Sequence, residues 1–280
     1  MISLGLGMFI NYIIVSWLAI LVGAIISISG VYISDLYLQF AAIGIMASLC
    51  GLALTPIGES FFRFTHGARE ALKLEKSFLE PVFSRVVKNA GFERSDFDLL
   101  VMDDKEINAF ALGRRSVIIT RGAMQLPEQE IEGIFAHELG HMRHRDSIIM
   151  LMYYTVSSIT NLAIKILMMI AAVMTFFKIT RILGVAIGIM TAALLWLAVK
   201  PINVGNRYGG RLKEYRADRF AHEIGYGEGM QMLLTRFMDN ETTERGMVNS
   251  LMATHPGSGK RLLALEKLAE KSGDIAAELA

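Results

Sequence analysis

Two histidines four residues apart bracket a glutamate in the segment Ile134-Phe135-Ala136-His137-Glu138-Leu139-Gly140-His141-Met142. On a helix, positions i and i+4 share one face, about one turn apart. Both imidazoles can then reach a single Zn²⁺ at roughly 2.0–2.1 Å. Glu138 follows the first histidine and can reach water on that metal, so the chemistry on offer is metal-assisted hydrolysis. The apolar residues on both sides predict a buried helix. Burying two histidines and a glutamate is costly unless they are paired or ligated, which favours a metal over a structural cluster.

This is the H-E-x-x-H pattern found in metalloproteases, and its third ligand sets the subclass. A third histidine six positions after His141 is missing, because Ser147 stands there. His144 lies too close to the end of the motif to complete the geometry and reads as a polar interface residue. A carboxylate on a second helix is the other arrangement, and Glu214-Tyr215-Arg216-Ala217-Asp218 fits it. Glu214 would be the ligand. Asp218, one turn later on the same face, could hold the outer nitrogen of a ligating histidine. Ala217 is small enough to let the two helices approach.

The elements that position these residues follow from periodicity and punctuation. Arg63 to Ala90 reads as one helix ended by Gly91. Phe97–Val101, Asn108–Leu112 and Val117–Thr120 read as strands of a small sheet, antiparallel in part, with a turn at Gly113-Arg114-Arg115. Pro127 opens the motif helix, and Glu128 and Glu130 in its first turn suit the helix dipole.

Charge-free runs cover Met1–Ser34, Leu36–Gly58, Ser147–Ile164, Ile166–Phe177 and Ile182–Val199. About 20 apolar residues cross a bilayer. The fold class expected is therefore a mainly α integral membrane protein, with up to four transmembrane helices and an α+β zincin-like domain carrying a small sheet. The predicted parts are an amino-terminal transmembrane hairpin (1–58), the first part of the zincin domain (59–146), a second apolar hairpin (147–200) and the carboxy-terminal helical part (201–280). The first run has no Lys or Arg before it, unlike a cleaved signal peptide. The two apolar runs between His141 and Glu214 keep both motifs on one side of the membrane. Arg63, Arg69, Lys73 and Lys76 follow the second run, which by the positive-inside rule places that side in the cytoplasm. Gly184 and Gly188 form a small-xxx-small pair that marks a possible helix contact.

The chain has 280 residues, 53% apolar and 20% charged, with a net charge of +1. This composition excludes disorder and disulfide scaffolds, and gives no reason to expect nucleic-acid binding. The single cysteine, Cys50, lies in an apolar run.

Four segments in order resemble the HtpX family of membrane-embedded zinc metalloproteases. These gluzincin-type enzymes are related to the CAAX prenyl endopeptidases and the OMA-type proteases. The segments are Asn108-Ala109-Phe110-Ala111, His137-Glu138-Leu139-Gly140-His141, Glu214-Tyr215-Arg216-Ala217-Asp218, and Thr254-His255-Pro256 followed by Lys260-Arg261-Leu262. Gly257 departs from the family's usual second proline. The resemblance implies one Zn²⁺ per chain on His137, His141 and Glu214, with Glu138 as the base that activates water. Asn108–Ala111 would be an edge strand that pairs with substrate, or else an ordinary core strand. His255 would stabilise an oxyanion, occupy the open zinc position at rest, or cap the following helix. The implied function is an endopeptidase for membrane or misfolded proteins, in quality control and stress response at a bacterial cytoplasmic membrane. Its partners would be protein or peptide substrates and the bilayer, with no nucleic acid. A catalytically silent zinc-binding scaffold is the alternative.

Overall fold

The structure is a computed structural model that describes residues 2–27, 30–241 and 258–278. Helices α1 (Ile2–Ser27) and α2 (Asp35–Ala53) are followed by a short helix α3 (Pro56–Thr65), strand β1 (Ala68–Glu70) and helix α4 (Lys73–Asn89). Strands β2 (Asp98–Met102), β3 (Ala109–Leu112) and β4 (Ser116–Thr120) lead into α5 (Glu128–Arg143). The long helices α6 (Asp146–Phe176) and α7 (Arg181–Glu223) precede α8 (Gly227–Glu241) and α9 (Ser258–Glu278). The chain divides into two units, one of Met1–Gly58 with Leu151–Gly209 and one of Glu59–Met150 with Gly210–Ala280.

In the first unit, α1, α2 and α6 are each long and apolar enough to cross a membrane. Ser34 precedes the first residue of α2, at the expected hairpin turn. Gly23 lets α1 meet Leu38, whose side chain would lie 2.6 Å from an added Cβ. The polar residues that dilute the third run have a role, since Asn11 on α1 donates to Ser157 Oγ on α6 at 3.0 Å. Gly184 lies under the Ala171 carbonyl of α6, 2.7 Å from where its Cβ would be, whereas Gly188 meets nothing within 4 Å. One half of the small-residue pair is therefore a contact. Among the described residues the apolar part of α7 is Arg181–Ala193, shorter than a span.

The second unit is built on a four-stranded mixed sheet in the order β1-β2-β4-β3. β2 and β4 run parallel, and β3 returns antiparallel on β4, leaving β3 at an edge. The expectation of one helix from Arg63 to Ala90 is corrected here. Gly67 takes a left-handed φ of 68°, which breaks the helix and lets β1 pair antiparallel with β2. The Gly91 stop holds, with φ 71°.

α5 is the buried axis of this unit. Its core neighbours include Phe83, Val101, Ile119, Leu233 and Phe237. Phe83 and Phe135 meet edge to face with ring centroids 4.9 Å apart. Two glycines let other backbones reach α5. A Cβ on Gly133 would lie 2.5 Å from Met230 N of α8, and one on Gly140 would lie 2.9 Å from Ala217 Cα of α7. Ala217, fully buried, is thus the close-approach residue its size suggested.

Candidate metal centre

All members of the centre lie in the second unit. His137, Glu138 and His141 come from α5 and Glu214 and Asp218 from α7, each at most 7% exposed. The two imidazoles are perpendicular, 88° apart, with their Nε2 atoms 3.2 Å apart. Glu214 closes the triangle, with carboxylate oxygens 3.3 Å from His137 Nε2 and 3.5 Å from His141 Nε2. A tetrahedral site with bonds of roughly 2.0–2.1 Å requires donor atoms about 3.3–3.4 Å apart. The donor set therefore fits a divalent ion of zinc's size.

Charge makes the same point. Glu138, Glu214 and Asp218 are buried carboxylates facing one buried guanidinium, that of Arg261. With neutral imidazoles, two negative charges remain uncompensated, a cost that a divalent cation removes. Burial lowers the basicity of His137, but its hydrogen bonds to Asp218 and Glu214 outweigh this and raise its pKa to about 9.

Asp218 Oδ1 lies 2.8 Å from His137 Nδ1. It orients the ring and leaves Nε2 to face the triangle. Burial alone would raise its pKa, but Arg261 holds it down at about 2. Arg261 extends from α9 and forks onto both Asp218 oxygens at 2.7 Å. Its third nitrogen lies 3.0 Å from Glu214. In the sequence Arg261 stands in the segment Lys260-Arg261-Leu262 with nothing to mark this role. Its burial becomes visible only in the folded α9, where it lies three residues after buried Ser258 and four before buried Leu265.

A second buried carboxylate stands behind the other histidine. Asp146, 2% exposed, begins α6 and sits 3.6 Å from His141 Nδ1. Arg216, two residues beyond Glu214, reaches its oxygens at 3.1 and 2.9 Å. Lys213 lies 3.6 Å away. Each histidine therefore has a carboxylate behind it.

Glu138 differs from Glu214 in its partner. Its carboxylate accepts the Ala111 backbone N–H at 2.7 Å. It too lies within reach of a metal on the two histidines, but Glu214 closes the measured triangle. β3 thus comes directly to the centre. Thr120 N–H donates to the Asn108 carbonyl, and the Ala111 amide points away from β4. By strand alternation, Ala109 points its backbone the same way. Phe110 packs edge to face on Phe62, centroids 6.4 Å apart. His144 is exposed at the end of α5. Ser147 Oγ donates to the Gly113 carbonyl at 2.8 Å. Thr254, His255, Pro256 and Gly257 lie outside the described residues.

Imidazole and carboxylate donors converging beside an open strand edge are the working parts of a metallopeptidase, and the long apolar helices make it one of the membrane. Comparison gives the family. Residues 73–269 match the model of Peptidase family M48, and the chain belongs to that family. The "Protease HtpX homolog" of Aquifex aeolicus (strain VF5) is 26% identical over 273 residues, covering 82% of this chain and 88% of that protein. Its namesake in Campylobacter curvus (strain 525.92) is 26% identical over 255 residues, covering 77% and 86%. The resemblance to HtpX proteases therefore holds. A crystal structure of S. mikatae Ste24p aligns with a TM-score of 0.48 at 18% identity, over 83% of this chain and 58% of that one. The protein is a membrane metalloprotease.

Proposed function

We propose that this metalloprotease is a zinc endopeptidase with His137, His141 and Glu214 as ligands and Glu138 as general base. The observation that carries the reading is the triangle of donor atoms 3.2–3.5 Å apart, with a second carboxylate, Glu138, beside it and hydrogen-bonded to the strand edge. Bound zinc supplies a Lewis acid that polarises the scissile carbonyl and brings the ionisation of coordinated water near pH 7. Glu138 accepts the proton of the attacking water and returns it to the leaving amine. Asp218 and Arg261 fix the His137 ring. An extended substrate lies along β3 and pairs with the backbone of Ala109 and the carbonyl of Ala111, which puts its scissile bond beside Glu138.

The substrates we infer are membrane or misfolded proteins, and the setting is quality control at a bacterial cytoplasmic membrane with the centre facing the cytoplasm. The basic residues after α2 support that orientation. Residues 1–58 and 147–200 then serve as membrane hairpins, and 59–146 with 201–280 form the catalytic domain.

Casein cleavage by the detergent-purified protein, with zinc content measured on the same sample, tests the reading. Wild type should cleave, lose activity to a chelator and regain it with zinc. Glu138→Gln should keep its zinc and lose about 10²–10⁴-fold in rate. Stoichiometric zinc with no cleavage in any condition would favour the silent scaffold.

A further inference from the structure

α3 has two faces of opposite character. Phe62, 8% exposed, packs inward on Phe110 of β3. Beside it Glu59 accepts the Ser116 backbone N–H at 3.1 Å and the Ser116 hydroxyl. Arg63 donates to Ser116 Oγ at 2.8 Å and to Asp98 at 2.7 Å. These bonds clamp α3 to the starts of β2 and β4 and to the edge strand. The outward face is bare. Ile57, Phe61 and Phe64 are 69%, 51% and 85% exposed. At about 100° per residue these three fall within roughly 60° of arc, opposite Glu59, Phe62 and Arg63.

Nothing in the catalytic unit requires two exposed phenylalanines and an isoleucine in one stripe. Their place in the chain identifies the occupant. α2 is a membrane span that ends at Ala53, and α3 begins at Pro56. The stripe is tethered within a few residues of the bilayer surface. Lys73 and Lys76, both exposed, follow shortly and suit anionic headgroups.

We propose that the outer face of α3 is a membrane-surface contact: Ile57, Phe61 and Phe64 seat in the headgroup–acyl boundary of the bilayer that α2 enters. The inward clamp ties β3 to the same helix. Resting on the proposed endopeptidase function, this makes the strand edge a receptor for extended segments tethered to the same membrane. An amphipathic helix that lies in the interface buries its apolar face by roughly 5–10 Å.

The test uses the full chain with Cys50→Ser and a spin label on Phe61→Cys or Phe64→Cys, reconstituted in liposomes of phosphatidylethanolamine and phosphatidylglycerol. Collision with oxygen, which partitions into lipid, is compared with collision with a water-soluble nickel chelate. A label on Lys105→Cys serves as the aqueous control. The expected oxygen-to-nickel ratio at 61 and 64 is several-fold above that at 105. A ratio equal to the control, or shielding from both reagents by a protein partner, would overturn the contact.

A second measurement addresses its consequence. Phe61→Ser with Phe64→Ser should leave casein cleavage in detergent unchanged and slow cleavage of a liposome-tethered substrate several-fold. Equal losses in both assays would show a packing defect instead. The labelling experiment does not depend on catalysis, so an inactive protein would refute the endopeptidase reading and leave the contact separately decided.

Discussion

Arg261 shows how much of the centre depends on a residue that touches no reacting atom. It is 1% exposed and ties Asp218 and Glu214 from a helix later in the chain. Arg261→Leu would leave both carboxylates buried against one another, at a cost of about 3–5 kcal/mol. Zinc affinity should fall, read by competition with a chromophoric chelator, and more steeply than in Arg261→Lys, which keeps the charge but loses the fork. Equal affinity in the two variants and wild type would remove Arg261 from the centre. At this scale the sequence was legible where spacing is chemical. His137 with His141, and Glu214 with Asp218, each sit four apart on a helix, and all four converge in the structure. Arg261 and Asp146 were not legible because a buried charge beside solvated ones carries no mark in the sequence. Lys260 next to Arg261 is exposed, yet both read alike in composition.

The elements meet through glycine. Gly140 sits between His137 and His141, and Ala217 lies between Glu214 and Asp218. Their contact sets the distance between the two halves of the donor set. Gly140→Val would drive a branched side chain into the Ala217 backbone, 2.9 Å from the Cβ position. The expected cost is roughly 1–3 kcal/mol, with zinc affinity lost in parallel because Glu214 moves with α7. Isothermal titration on the purified variant would check this, and unchanged affinity would mean that α7 is held from elsewhere. Strands β2 to β4 were found from apolar runs bounded by turn residues, within a residue or two at their ends. β1 was missed. At three residues it is too short to show alternation, and the helical pattern downstream extended over it. The decisive feature was one left-handed backbone position, Gly67, which propensity alone does not locate.

For the whole molecule, the division into two units predicts where metal is felt. With free zinc held about 100-fold above its Kd, the metal-binding unit gains about 2.7 kcal/mol. Amides of α5 that exchange through its unfolding should then slow by about 100-fold, measured by hydrogen–deuterium exchange with and without a chelator. Amides of α1 and α2 should not respond. A uniform change through both units would mean that they unfold together. The apolar runs announced the spans by length and absence of charge, and α1, α2 and α6 follow them. The reach of the fourth run was not legible, because α7 continues without a break from apolar residues into the segment that holds Glu214.

The path of Arg261 through the chain also bears on timing. The histidine pair leaves the ribosome before α6 and the start of α7, then come Glu214 and Asp218, and the guanidinium that steadies them comes last. The 124 residues between His137 and Arg261 take roughly 6–25 s to synthesise at about 5–20 residues per second. Throughout that interval His137 lacks the guanidinium that, in the folded chain, lies behind its ring and holds Asp218. The buried cluster of His137, Asp218 and Arg261 is therefore complete only once α9 has been made.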